Sequence, residues 1–194
     1  ERQTLDPEQL RSFFGRRILG QPEAVNCLIE RVTLIKAGLT DPSRPQGVFL
    51  FAGPTGTGKT EIAKALAAFL FGSEERLLRY DMSEFQSPDS LERLVGDGQK
   101  MDRESLTLKI RKQPFSVILL DEFEKAHPKV WDLFLQVFDD GRLTDPMGRT
   151  ADFRHAIIIL TSNLGGQDAT GKGLGFDQEQ EGFRITAVDR AVER

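Results

Sequence analysis

The sequence predicts an α/β fold in three layers, with a parallel sheet covered by helices on both faces. Four short runs, GVFLFA at 47–52, RLLRYD at 76–81, FSVILLD at 115–121 and HAIIILT at 155–161, alternate with stretches of helical periodicity. Most of these runs are apolar at successive positions rather than at every second one, the pattern of strands buried on both faces. Hydrophobic residues make up 39% and charged residues 29% of the 194, enough for a packed core and too apolar for a disordered chain.

Taken in order, Asp6 before Pro7 reads as an N-cap with proline at the first helical position. It opens a short helix through Leu10, Phe13 and Phe14 that Gly15 helps to end. A longer helix is expected from Pro22 to just before Gly38, because Val25, Leu28, Ile29, Val32 and Ile35 recur at three- and four-residue spacing. TDPSRPQ at 40–46 is a turn-rich link. Between the four strands, helices are expected near 59–71, 88–95, 104–112 and 128–138. GGQDATGKGLGFDQEQEG at 165–182 reads as a long exposed loop, and a last helix is expected from about Phe183, with Ile185, Val188 and Val192 on one side. The organisation expected is an N-terminal helical segment at 1–46, a core at 47–163, and at 164–194 the loop with the start of a helix.

Composition excludes several classes. Twenty-six basic against 30 acidic residues leave a net charge of −4 with no long run of one sign, which argues against a nucleic-acid coat or a membrane-surface binder. Cys27 is the only cysteine, so no internal disulfide or thiolate cluster can form, which fits a reducing compartment such as the cytoplasm. His127 and His155 are isolated and suggest no metal site. The longest apolar runs, at 115–120 and 156–160, fall far short of the roughly 20 residues that span a bilayer. The first residues, ERQTLDPEQL, carry neither an initiator Met nor an apolar signal core and read as an internal start within a longer polypeptide.

GPTGTGKT at 53–60 matches the phosphate-loop pattern G-x-x-x-x-G-K-[ST] through Gly53, Gly58, Lys59 and Thr60. It follows an apolar strand and opens an amphipathic helix containing Ile62, Ala63, Leu66, Ala67 and Leu70, the strand, loop and helix order that the mechanism requires. Gly56 and Gly58 let successive N–H groups face inward, where they and the helix N-terminus stabilise phosphate charge. Lys59 is expected to reach the β- and γ-phosphates and Thr60 to ligate Mg²⁺. Residues expected to contact nucleotide are thus Gly53, Pro54, Thr55, Gly56, Thr57, Gly58, Lys59, Thr60 and Glu61.

VILLDE at 117–122 carries the chain through the sheet and delivers two acids at the strand's C-terminal end, where ligands of open α/β sheets gather. Asp121 is placed to hold Mg²⁺ and Glu122 to orient and polarise the attacking water. Asn163, directly after the last strand, has two readings on spacing alone: a group that holds that water or the γ-phosphate, or a turn and cap residue.

RRILGQPEAV (16–25), GPTGTGKT, DMSEF (81–85), VILLDEFEKAHPKV (117–130), DDGRLTDPMGRTADF (139–153) and IILTSNLG (158–165) together resemble the C-terminal ATPase module of Clp-type AAA+ unfoldases and disaggregases. The resemblance covers nearly the whole chain from about Leu5. It implies the large subdomain of a P-loop NTPase that binds ATP or ADP with Mg²⁺, forms a homohexamer at full length and pulls on protein substrates. By position it makes 53–60 the Walker A loop, Asp121 and Glu122 the Walker B pair, Asn163 the first sensor, and Ile18 and Leu19 part of the adenine surround. The small helical subdomain, the arginine finger and the second sensor arginine are expected outside these residues, and the chain alone is expected to be monomeric and weakly active. Leu174, Gly175 and Phe176 lie where Clp ATPases that feed a barrel peptidase carry a docking tripeptide. The interval DGQKMDRES at 97–105 has no aromatic residue where family unfoldases grip substrate with one. That departure keeps open a nucleotide-gated scaffold that does not thread protein. A nucleic-acid-handling ATPase is disfavoured by the charge balance.

Overall fold

The computed structural model describes residues 11–12, 22–53, 58–96, 105–163 and 184–187. Residues 11–12 are helical, and α1 (Pro22–Ala37) follows, its Val25, Leu28, Ile29 and Val32 buried as their spacing requires. Then come β1 (Gly47–Ala52), α2 (Lys59–Phe71), β2 (Leu77–Asp81), α3 (Ser90–Val95), α4 (Leu106–Lys112), β3 (Val117–Asp121) and α5 (Pro128–Asp140). A hairpin of β4 (Arg142–Thr144) and β5 (Thr150–Asp152) precedes β6 (Ile157–Ser162), and β7 (Arg184–Ala187) is the last described element.

The main sheet runs in the order β2, β3, β6, β1, β7. Its first four strands are parallel and nearly flush: Leu119 is level with Ile159, which is level with Phe49. Alternation along each strand then sorts side chains between two helical layers. Phe49, Phe51, Val117, Leu119, Ile157 and Ile159 pack with α1 and α2. Val48, Ile118, Leu120, Ile158 and Leu160 pack with α3, α4, α5 and the hairpin. The continuous apolar runs are therefore explained by burial on both faces, as expected.

Helix ends follow local chemistry. Gly72 and Gly141 close α2 and α5 in the left-handed conformation, their N–H groups bonding Ala68 and Val137. Pro128 opens α5, with the His127 ring accepting from the Lys129 N–H at 3.2 Å.

Two expectations need correction. No helix begins in 184–187: these residues form β7, antiparallel to β1, with Phe49 opposite Ala187 and Ala52 opposite Arg184. The spacing of Ile185 and Val188 suited a helix, but a four-residue strand is too short to show its own period, and its partner lies far away in sequence. The sheet is thus parallel with one antiparallel edge strand. The β4–β5 hairpin is not among the elements expected from the sequence, each strand being three residues long.

Candidate nucleotide site

The strand ends define where the site lies. β1, β6 and β3 are neighbours and parallel, so Gly53, Asn163 and the acids after Leu120 emerge side by side at the C-terminal ends of the strands.

Gly58 adopts φ +87°, a left-handed conformation open to glycine, and opens α2 without a side-chain cap. The first-turn N–H groups of that 13-residue helix thus receive no side-chain cap from Gly58. Lys59 is buried, with 8% of its surface exposed, and its ammonium donates to the Gly53 carbonyl at 2.7 Å, the Ser162 carbonyl at 3.3 Å and Asn163 Oδ1 at 3.3 Å. Burial pushes its pKa below the ordinary lysine value, while the charges of Asp121, Glu124 and Glu122 pull it back up. A cation held among carboxylates and carbonyls at a helix N-terminus is suited to phosphate oxygens.

Glu122 follows the end of β3 and is the one non-glycine residue with positive φ among those described, at +53°. Its Oε1 accepts from Asn163 Nδ2 at 3.3 Å, and its Oε2 pairs with Lys125. Asp121 accepts from the Thr161 hydroxyl at 2.5 Å and from Arg79 at 2.6 Å. The structure thus brings together Lys59, Asp121, Glu122 and Asn163, which stand on three different elements.

Two residues in this cluster were not singled out from the sequence. Thr161 is 1% exposed and bridges Asp121 to the Glu122 backbone, whose N–H donates to its Oγ1 at 3.0 Å. Glu124 Oε1 accepts from the Asn163 N–H at 3.0 Å, and its buried Oε2 has no hydrogen-bond partner among the described residues. A polar residue closing an apolar strand, and a third acid in DEFEK, were the available signals.

Thr60 is half-buried in the first turn of α2. Glu61 instead faces solvent, paired with Lys64 at 2.8 Å, and the structure does not bring it into the cluster. Ile18, Leu19, Pro54, Thr55, Gly56, Thr57, Leu174, Gly175 and Phe176 lie outside the described residues, as does 97–104. Among the described residues no group of three or more His, Cys, Asp or Glu could enclose a metal. Thr60 and Asp121 carry a hydroxyl and a carboxylate, the oxygen donor types that a hard cation takes beside phosphate oxygens and water.

A sheet of this order with a Gly-Lys-Thr turn opening a helix beyond one strand and an acidic pair beyond another defines a P-loop NTPase of the AAA+ type. The chain belongs to the AAA family: the model for the AAA domain (Cdc48 subfamily) matches residues 44–193. It is of the Clp type, 53% identical over 187 residues to the chaperone protein ClpB of Streptomyces albus G, covering 94% of this chain and 21% of that one. It is 49% identical over 188 residues to the Clp protease ATP-binding subunit ClpC of Staphylococcus epidermidis, covering 94% and 23%. With the competence regulator ClpC/MecB of Bacillus subtilis it shares 50% over 177 residues, covering 89% and 22%. The chain spans about a fifth of the length of these curated relatives. Family membership implies nucleotide binding and makes it an ATPase sequence.

Proposed function

We propose that this chain is the ATP-binding and ATP-hydrolysing module of a Clp-type motor that remodels proteins. The observation that carries the proposal is the hydrogen-bonded line Lys59–Asn163–Glu122 across the ends of β1, β6 and β3. Lys59 holds the β- and γ-phosphates, and the first turn of α2 adds its N–H groups to the same charge. Glu122 accepts a hydrogen bond from the attacking water and turns its lone pair toward phosphorus, while Asn163 fixes the carboxylate and senses the γ-phosphate through Lys59. Bound Mg²⁺, held by Thr60 and by Asp121 through water, would neutralise charge developing on the phosphate oxygens.

The relatives' names, a chaperone and the ATP-binding subunit of a protease, support protein substrates for the full-length protein. A homohexamer in the cytoplasm, and a barrel peptidase docking at Leu174, Gly175 and Phe176, belong to the same proposal. The chain alone should be monomeric and turn over slowly, because an arginine supplied by a neighbouring protomer is worth about 10³–10⁵ in rate. The aromatic-free composition of 97–105 favours one second reading, a nucleotide-gated scaffold that does not thread protein.

Calorimetry with Mg·ATP tests the first step. Lys59→Ala should weaken binding by about tenfold or more, since hydrogen bonds to charged groups contribute about 1.5–3 kcal/mol each. Equal affinity in wild type and variant would overturn the assignment.

A further inference from the structure

We propose that Thr161 is a positioning residue that aims Asp121 and Glu122 at different tasks. The inference rests on the role of Glu122 given above.

β3 and β6 pair as far as Leu120 with Leu160, and there the ladder stops. Beyond it Glu122 turns into the left-handed region, and its N–H lies past the last paired residues of the β3–β6 ladder. The Thr161 hydroxyl takes that N–H instead, at 3.0 Å, and itself donates to Asp121 Oδ1 at 2.5 Å. The direction of the hydroxyl proton follows from its partners. The backbone N–H can only donate, so the hydroxyl hydrogen is left for the carboxylate.

One buried hydroxyl therefore fixes the side chain of one acid and the main chain of the next. Asp121 is held on both oxygens, by Thr161 and by Arg79. Glu122 is held through its backbone, which leaves its carboxylate to Asn163 and Lys125. Adjacent acids on a regular strand would point to opposite faces of the sheet. The bridge to Thr161, with the turn it stabilises, is what lets both serve one site. Thr161 lies too far inside the strand end to touch nucleotide, being 1% exposed, so its action is through its neighbours.

The test uses the full-length protein and separates the hydroxyl from the methyl. Thr161→Val keeps the shape and removes the hydroxyl; Thr161→Ser keeps the hydroxyl and removes the methyl. The expected result is a fall in kcat of about ten- to hundredfold for the valine variant, as for a reacting group misplaced by about an ångström. ATP affinity by calorimetry should stay within about threefold, and serine should restore kcat to within about threefold of wild type. A packing role predicts the reverse order, with valine near wild type and serine impaired, and that result would overturn the proposal. So would a kcat loss that tracks melting temperature across both variants. If valine does not fold, serine and alanine differ at this position by the hydroxyl alone and give the same comparison. Glu122→Gln in the same assay separates the two readings. Turnover that survives in it removes the role of Glu122, whereas its loss beside a fully active Thr161→Val overturns the positioning role alone.

Discussion

At the scale of single residues, backbone conformation divides positions that tolerate substitution from those that do not. Glu122 at φ +53° carries a conformation that costs an L-residue about 1–2 kcal/mol, and it persists because Thr161 takes its N–H while its carbonyl accepts from the Lys125 N–H at 2.9 Å. Gly141 and Gly148 have positive φ as well, and their surroundings differ. A Cβ on Gly141 would meet the Ser43 carbonyl oxygen at 2.6 Å, whereas one on Gly148 would meet nothing within 4 Å. Gly141→Ala should therefore lower stability by about 2–5 kcal/mol, adding backbone strain to overpacking, and Gly148→Ala by only about 1–2 kcal/mol. Urea unfolding of the two variants checks the difference; equal losses would mean that the Ser43 segment yields easily. At this scale the phosphate loop lysine, the acidic pair and Asn163 were legible, because each is a residue type at a diagnostic place. Thr161 and Glu124 were not, since a threonine in a β-branched strand and an acid before a helix each have ordinary explanations until distances show whom they touch.

At the scale of elements, the β4–β5 hairpin is tied to α4 by one buried carboxylate. Asp145 takes the N–H groups of Met147 and Arg149 on Oδ1, and pairs with Arg149 at 2.8 Å and Arg111 at 3.1 Å on Oδ2. Burial by itself raises its pKa, but the hydrogen bonds from Arg149 and the charges of Arg149 and Arg111 outweigh it and hold the group below the ordinary aspartate value. The sign follows from the unfolded chain binding that proton more readily. The stabilisation is full above the ordinary carboxylate value near pH 4 and is lost as pH falls through the lower folded value. Asp145→Asn should thus melt several degrees below wild type at pH 7, and the gap should close as pH drops below about 4. A gap independent of pH would show that the carboxylate charge does not hold the hairpin. The sequence did hold a signal here, since DPMGR at 145–149 has the aspartate, proline and glycine of a tight turn. Three-residue strands left no period to join to it. α1, α2 and α5 were long and periodic enough to be placed within two residues of their observed ends.

At the scale of the whole molecule, two apolar layers hold the sheet and one polar line crosses its end. The three-layer arrangement was readable because strands buried on both faces cannot alternate in polarity. Strand order was not, because pairing depends on contacts between distant segments, and β7 closes the β1 edge with residues that read locally as helix. Bringing β6 between β1 and β3 sets Asn163 between Lys59 and Glu122, so topology builds the cluster that the motifs only name. Glu122→Gln tests that cluster most directly, assayed in the full-length protein because the chain alone should be slow. With labelled ATP and Mg²⁺ it should bind with near-native affinity and keep the nucleotide as ATP, with ADP formation slower by about 10²–10⁴. ADP formation at the native rate would contradict the role of Glu122 and, with it, the reading of this sheet edge as a hydrolytic site.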